Sequence, residues 1–383
     1  MFINTKLYDI EDFTIIPAVQ SYIHSRSECN PYYNIEAKQY LPIFVSPMDC
    51  VINKHNFDIY DKNKVIPILP RTEPFSLRCD YAFNNKWAAF SLSEFQKVFC
   101  EDSKEFKDCP NINIKALIDQ ANGHMSELPD IIKTAKEMAK ENNYNLEIMV
   151  GNIANPDTYK IVAEAGADYA RMAIGSGNCC ITGSNTAQGY PMGSLILNTK
   201  EIKDTYNLKC AIVADGGISN YKRAITAYAL GADYVMIGST FGACFESASN
   251  FLTIEPPKKA YVHYTLDELQ NLRWDTDLSE KEKKEIIKMY SPMTKAVWGM
   301  STRKAQISIA LAQGKKLEEI QTKTSEGVEK KVNVEYTLAQ WLENFTDYFK
   351  SAMSYDNITE ASEYIGKPEI CLISEKAKQV INK

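Results

Sequence analysis

Between residues 42 and 239 the chain repeats one pattern, a short apolar run rich in Val and Ile followed by a longer amphipathic stretch. The apolar runs are PIFVSPM (42–48), VIPILPR (65–71), WAAFSL (87–92), IKALIDQ (114–120), LEIMVGN (146–152), YARMAIG (169–175), CAIVADGG (210–217) and YVMIGS (234–239). Runs apolar on both faces read as parallel strands buried on both sides. The segments between them, such as SELPDIIKTAKEMAKENN and NPDTYKIVAEAG, carry helical spacing with one polar face. Strand and helix in strict alternation mean an α/β fold. Gly, Asp, Ser and Asn gather where the runs end, which predicts a (β/α)8 TIM barrel rather than a doubly wound sheet, because barrel sites are built at the C-terminal ends of the strands.

Beyond Ser239 the rhythm stops. Residues 256–296 begin PPKKAYVHY and run on through DLSEKEKKEIIKMY, which reads as a peripheral helical excursion. A second charged run, QGKKLEEIQTKTSEGVEKK (313–331), reads as a solvated surface segment or, at a barrel mouth, as part of an active-site flap over 303–331. The whole chain, 1–383, is expected to be one catalytic domain.

Composition excludes several classes. Apolar residues at 45% and charged residues at 24% are globular values, not those of a disordered or coiled-coil chain. No stretch approaches the roughly 20 apolar residues of a membrane span. The start, MFINTKLYDIEDF, lacks the basic-then-apolar order of a signal peptide, so no membrane partner and a cytoplasmic location are expected. With 43 basic against 49 acidic side chains, the net charge of -6 offers no field for nucleic acid. A phosphorylated substrate therefore needs a local site. Ten cysteines without a C-x-x-C pair read as reduced thiols, and four histidines without H-x-x-x-H spacing argue against a zinc site.

Four stretches carry chemistry. IGSGNCCITGS (174–184) follows the sixth run; its glycines allow a tight turn that presents backbone groups, and Cys179 and Cys180 sit at its centre. A cysteine is ordinarily a small buried hydrophobe, but a thiol on such a loop near the hydroxyl of Thr182 has the character of an activated nucleophile with a proton-transfer partner. VADGGISNYKRAI (213–225) with VMIGSTF (235–241) fits the phosphate site of a barrel at its seventh and eighth strands, a feature that flavin-binding barrels share. IDQANGH (118–124) places Asp119 at a strand end, as a ribose or amide ligand or as a helix cap. FVSPMDC (44–50) places Met48 against a flat base or in the core.

In order along the chain, SPMD (46–49), DQANG (119–123), GN (151–152), IGSGNCCIT (174–182), GYP (189–191), ADGGI (214–218), GS (238–239), GMS (299–301) and EG (326–327) resemble the IMP dehydrogenase and GMP reductase family. The resemblance implies a homotetrameric barrel that converts a purine nucleotide through a covalent adduct between a cysteine and purine C2. It implies Cys180 as nucleophile, Thr182 as its proton-transfer partner and Glu326 as the catalytic glutamate of the reductases. Ser46 and Met48 would border the base and Asp215 would bind ribose. Asn178, Gly216, Gly217, Gly238 and Ser239 would hold phosphate, and Gly299 with Met300 would meet the purine edge. Asp119, Asn122, Gly123 and Asn152 would take the cofactor, NADPH or alternatively NAD, and the carbonyls of Gly175, Gly177 and Cys180 would hold potassium (K+).

Three positions depart from the family pattern: Asn178 stands where the phosphate-binding serine is usual, Gly183 where an arginine is usual, and the aromatic residue before GM is Trp298. Within the family, residues 303–324 hold no tyrosine and only Arg303, which argues against the Arg–Tyr water activation of the dehydrogenases. Only residues 72–86 separate the second and third strands, so the regulatory module common there is missing. SRSEC (25–29), ANG (121–123) and SEG (325–327) resemble the reductases, whereas SPMD, Arg171, ADGGI and GS look more like the dehydrogenases. The resemblance thus implies a GMP reductase, with an IMP dehydrogenase, a catalytically silent nucleotide-binding paralogue and a flavin-dependent barrel as the alternatives.

Overall fold

The structure, a computed structural model, describes residues 6–101, 112–254 and 264–381. All eight anticipated strands form one parallel sheet: β1 (Ile43–Val45), β2 (Ile68–Leu69), β3 (Trp87–Phe90), β4 (Asn113–Asp119), β5 (Asn145–Ile153), β6 (Tyr169–Met172), β7 (Ala211–Asp215) and β8 (Tyr234–Ile237). Each strand pairs with the next in sequence from β2 onward, and β8 returns to β1 with Ile237 opposite Val45. The ring closes between β1 and the residues leading into β2, where the Val45 amide donates to Ile66 O and the Ile66 amide to Ile43 O, both at 2.9 Å. Closure leaves no free sheet edge. Regular pairing in β2 shrinks to two residues because Pro67 and Pro70 flank it without an N–H to donate.

Alternation along each strand makes two cores. Phe44, Trp87 and Tyr234 point into the barrel with Leu117, Met149 and Val213, and the interior is sealed edge to face by Phe44 on Trp87 (5.8 Å) and Trp87 on Tyr169 (5.2 Å). Their neighbours, such as Ile43 and Val45, face outward under the helices. Those helices are α1 (Phe57–Lys62), α2 (Phe75–Phe83), α3 (Leu92–Phe99), α4 (Leu128–Glu141), α5 (Pro156–Glu164), α6 (Met192–Thr205) and α7 (Tyr221–Leu230), each following its strand. Position eight is taken by α8 (Leu338–Tyr355), stacked on α7 through Tyr221–Trp341 (4.9 Å) and Tyr228–Phe349 (5.2 Å). Buried charge is paired at this level too. Arg78 on α2 is wholly enclosed and grips Glu94, which also closes the capping box of α3, so that against the upward push of burial the Glu94 carboxyl is held down to about 2.

Between β8 and α8 the chain leaves the barrel and builds a three-stranded antiparallel sheet, β9 (Phe251–Thr253), β10 (Thr294–Trp298) and β11 (Glu329–Asn333). Helices Leu266–Leu272 and Glu280–Met289 close over it, with Phe245, Leu269, Ile286 and Tyr290 in a small separate core. The excursion read at 256–296 does contain these helices, although residues 256–263 lie outside the described residues. Its last residues, from Thr294, are instead the central strand β10, whose C-terminal end delivers Gly299 and Met300 to the barrel mouth. The segment read as a flap, 303–331, starts as helix Arg303–Ala312 and runs into β11; near Glu326 it is pinned to the loop after β6. The nine described cysteines are free thiols, and among the described residues no helix is long and apolar enough to cross a membrane.

Candidate active site

At the C-terminal ends of the barrel strands lies a cleft of about 240 Å³. Its wall is made by Ser46 and Met48 after β1, Asp119 closing β4, Asn152 on β5, Gly175 to Cys180 after β6, Asp215 to Gly217 after β7, Gly238 and Ser239 after β8, Gly299 and Met300 after β10, and Thr182 and Glu326. Of the residues singled out from the sequence, only Asn122 and Gly123 stand outside this wall. Asn122 caps the loop by accepting from the His124 amide (3.1 Å), and the Gly123 amide donates to Asn152 O (2.8 Å). Gly123 packs so closely on that carbonyl that a Cβ there would lie 2.6 Å from it.

Three side chains at the mouth stand in a line. The Cys180 thiol reaches Thr182 Oγ1 at 3.3 Å, and the Thr182 hydroxyl donates to Glu326 Oε2 at 2.8 Å. Backbone pairing holds this line. Cys180 bridges Gly327 in antiparallel fashion, the Ile181 amide donates to Glu326 O and the Val328 amide to Cys179 O, each at 2.9 Å. Side chains alternate across such pairing, so Cys180 faces the cleft and Cys179 faces away. The Cys179 thiol is buried toward Val297 O, and burial pushes it up from its ordinary value. A buried neutral thiol is a poor nucleophile.

Glycines bring neighbouring loops together. Gly216 has φ of +102°, and a Cβ on it would lie 3.0 Å from Gly177 N, so the loop after β7 lies directly on the loop after β6. Gly238 likewise lets Met48 approach, since a Cβ there would sit 2.7 Å from its Sδ.

Arg171 is the group the residue-by-residue reading left without a place in the site. From the middle of β6 it donates through Nε to Asp215 Oδ2 and through Nη1 to Asp119 Oδ1, both at 2.7 Å. All three side chains are buried, and although burial opposes the guanidinium charge, Asp215 and Asp119 outweigh it and raise its pKa. The two carboxylates named separately from the sequence are thus one unit. Arg71, after β2, donates to Asp119 O (3.1 Å) while its buried Nε has no partner among the described residues. The only sequence signal for it was a basic residue at the end of an apolar run. Asn152 Oδ1 is also buried and, among the described residues, without a partner, an open acceptor on the cleft wall.

After β1, Asp49 has one carboxylate oxygen buried without a partner among the described residues. Burial pushes its carboxyl from 3.8 up to about 6, against the opposing pull of the Trp298 indole and the Lys304 ammonium. A folded-state value above the unfolded one means the folded protein holds the proton more tightly, so this group's contribution falls as pH rises from about 4 through about 6. Asp49→Asn is therefore expected to be more stable than the parent at pH 7, by up to about 3 kcal/mol, with the difference vanishing near pH 4. Urea denaturation at the two pH values measures it; an equal gap at both would show that charge is not the cause.

The opposite end of the barrel holds a second cavity, of about 350 Å³, lined by Glu36, Tyr40, Lys115, Glu147 and Tyr169. Its buried lysine is already engaged, Lys115 lying 3.2 Å from Glu36 and 3.8 Å from Glu147. None of the thiol, hydroxyl and glycine-loop groups reaches it.

Fold and site together define a closed (β/α)8 barrel with a thiol–hydroxyl–carboxylate line at its mouth. Residues 111–265 match the family model described as IMP dehydrogenase / GMP reductase domain. Over that stretch the chain is similar to the IMP dehydrogenase and GMP reductase family. It is 28% identical to a GMP reductase of Staphylococcus epidermidis over 268 residues, 68% of this chain and 78% of that protein. Identity to a GMP reductase of Clostridium acetobutylicum is 27% over 324 residues, covering 83% of this chain and 94% of the relative. A GMP reductase of Staphylococcus aureus is 26% identical over 328 residues, 83% and 95% of the two chains.

Proposed function

We propose that this protein is a GMP reductase, converting GMP to IMP and ammonia with NADPH as the reductant. The observation that carries the reading is the Thr182 hydroxyl, placed between the Cys180 thiol and the Glu326 carboxylate. A nucleophile that attacks and later leaves needs its proton moved out and back, and this hydroxyl is within reach of both partners. Cys180 attacks purine C2, its proton passing through Thr182 toward Glu326. The C2–N bond then breaks and the amino group departs as ammonia, taking a proton back along the same line. Bound in the cleft, a nicotinamide would supply the hydride for C2; Cys180 is the group released from C2 as the C2–S bond breaks, and its thiolate takes up a proton from solvent through Thr182. In this reading Ser46, Met48, Gly299 and Met300 hold the base, Asp215 holds the ribose, and Gly216, Gly217, Gly238, Ser239 and Asn178 hold the phosphate.

The open acceptor on Asn152, the buried donor on Arg71 and the Asp119 carboxylate are the groups that fit a nicotinamide and its ribose. Asn122 and Gly123 act one step back, by seating Asn152. A potassium ion is assigned to the carbonyls of Gly175, Gly177 and Cys180; Gly177 O accepts from the Cys180 amide at 3.0 Å and keeps a second lone pair. The assignment extends to a cytoplasmic homotetramer.

The test is to supply purified protein with GMP and NADPH, and separately with IMP and NAD, while following nicotinamide absorbance and ammonia. Oxidation with GMP and release of ammonia is expected. NAD reduction with IMP would replace the reading by a dehydrogenase, and silence with both would replace it by a nucleotide-binding paralogue.

A further inference from the structure

We propose that Lys330 is a phosphate-binding arm of the cleft, which distinguishes a purine nucleoside monophosphate from its nucleoside. The inference rests on the purine nucleotide reading above. A phosphate seated on Gly216, Gly217, Gly238 and Ser239 meets backbone amides, but two arginines close to those loops are already committed. Arg171 is spent on Asp119 and Asp215. Arg223, which lies against Gly217, is paired with Asp9 and Glu11. A dianion held by amides alone lacks a compensating charge.

Lys330 is placed to supply it. On β11 it pairs with Val297 of β10, and directly opposed residues of antiparallel strands present their side chains to the same face. That face is identified by Val297 itself, whose Cγ2 would lie 2.8 Å from a Cβ on Gly242. Gly242 ends the short helix Ser239–Gly242, whose first residue and preceding Gly238 are the phosphate loop of β8. Lys330 therefore projects over that helix, and its Nζ stops 3.4 Å from Asn178 Oδ1. Asn178 in turn follows Gly177, which lies against Gly216. The ammonium thus stands at Asn178, next to where the loop after β7 lies on the loop after β6. It is exposed, and among the described residues no carboxylate pairs with it. Lysine suits this task, since a long flexible stem can swing a point charge from an amide oxygen to an arriving phosphate. Lys331, opposite Ala296, points to the other face and serves as the control.

The experiment compares the parent, Lys330→Met, Lys330→Arg and Lys331→Met by calorimetric titration with GMP and with guanosine, and by steady-state kinetics with GMP. Lys330→Met is expected to weaken GMP binding about tenfold, an effect carried by KM rather than kcat and reduced at high salt. Guanosine binding stays within twofold of the parent, Lys330→Arg keeps most of the GMP affinity, and Lys331→Met matches the parent. Equal losses for GMP and guanosine, or for the two methionine variants, would overturn the proposal. Calorimetry needs no turnover, so a parent that binds GMP without reducing it removes the proposed reaction and leaves this test standing. A parent that binds no purine nucleotide overturns both.

Discussion

Cys180→Ala is expected to take GMP turnover below detection, a loss of roughly 10⁴-fold or more, while GMP affinity stays close to that of the parent. In the proposed reaction the thiol is the atom that bonds to substrate, and all of the proposed substrate-binding groups except Asn178 sit on other loops. Cys179→Ala is the sharp contrast, because its thiol faces Val297 O from within the core. That variant should keep most of its activity and lose only packing. Glu326→Gln retains the thiol and the hydrogen bond from Thr182 but not the proton acceptor, and should lower kcat by about 10²–10³-fold. Single-turnover kinetics beside calorimetry separate the three. An active Cys180→Ala with a dead Cys179→Ala would mean that the strand-like pairing of residues 179–181 is read one position out.

The largest stability effect is expected from Arg171→Met, a loss of about 3–5 kcal/mol at neutral pH. Methionine fills the space but leaves the Asp119 and Asp215 carboxylates buried together with no cation between them. Asp119→Asn added to Arg171→Met should recover part of the loss, since it removes one of the two uncompensated charges. Denaturant midpoints at neutral pH measure it. A gap that is small, or that Asp119→Asn does not narrow, would show that the triad is less tightly coupled than its geometry states.

Both variants act at places where the chain meets itself across long separations, and these were the hardest to read. The strands were legible because a parallel strand under helices is buried on both faces, so PIFVSPM and YVMIGS appear as unbroken apolar runs. The glycine loops were legible because a backbone that touches another backbone, as Gly216 touches Gly177, excludes a side chain. By contrast, Thr294 to Ala296 were read within a helical excursion, since the partner that makes them a strand, β11, arrives only at Glu329. Arg171 inside the run YARMAIG is one polar residue in a buried strand. Only its two carboxylates, 52 positions before it and 44 after it, explain it.

By itself, then, the sequence determined the eight-stranded barrel and the mouth at which the site lies, since hydrophobic period and glycine spacing are local and each strand is read within its own few residues. The tertiary structure alone decided which of two adjacent cysteines faces the cleft. That depends on the pairing of Cys180 with Gly327, which also brings Glu326 to Thr182 across 144 positions. It likewise decided that Asp119, Arg171 and Asp215 are one charge unit and that Lys330 reaches Asn178. Contacts of that kind are set by the register between distant strands, and register is a property of the closed sheet, not of any single segment of chain.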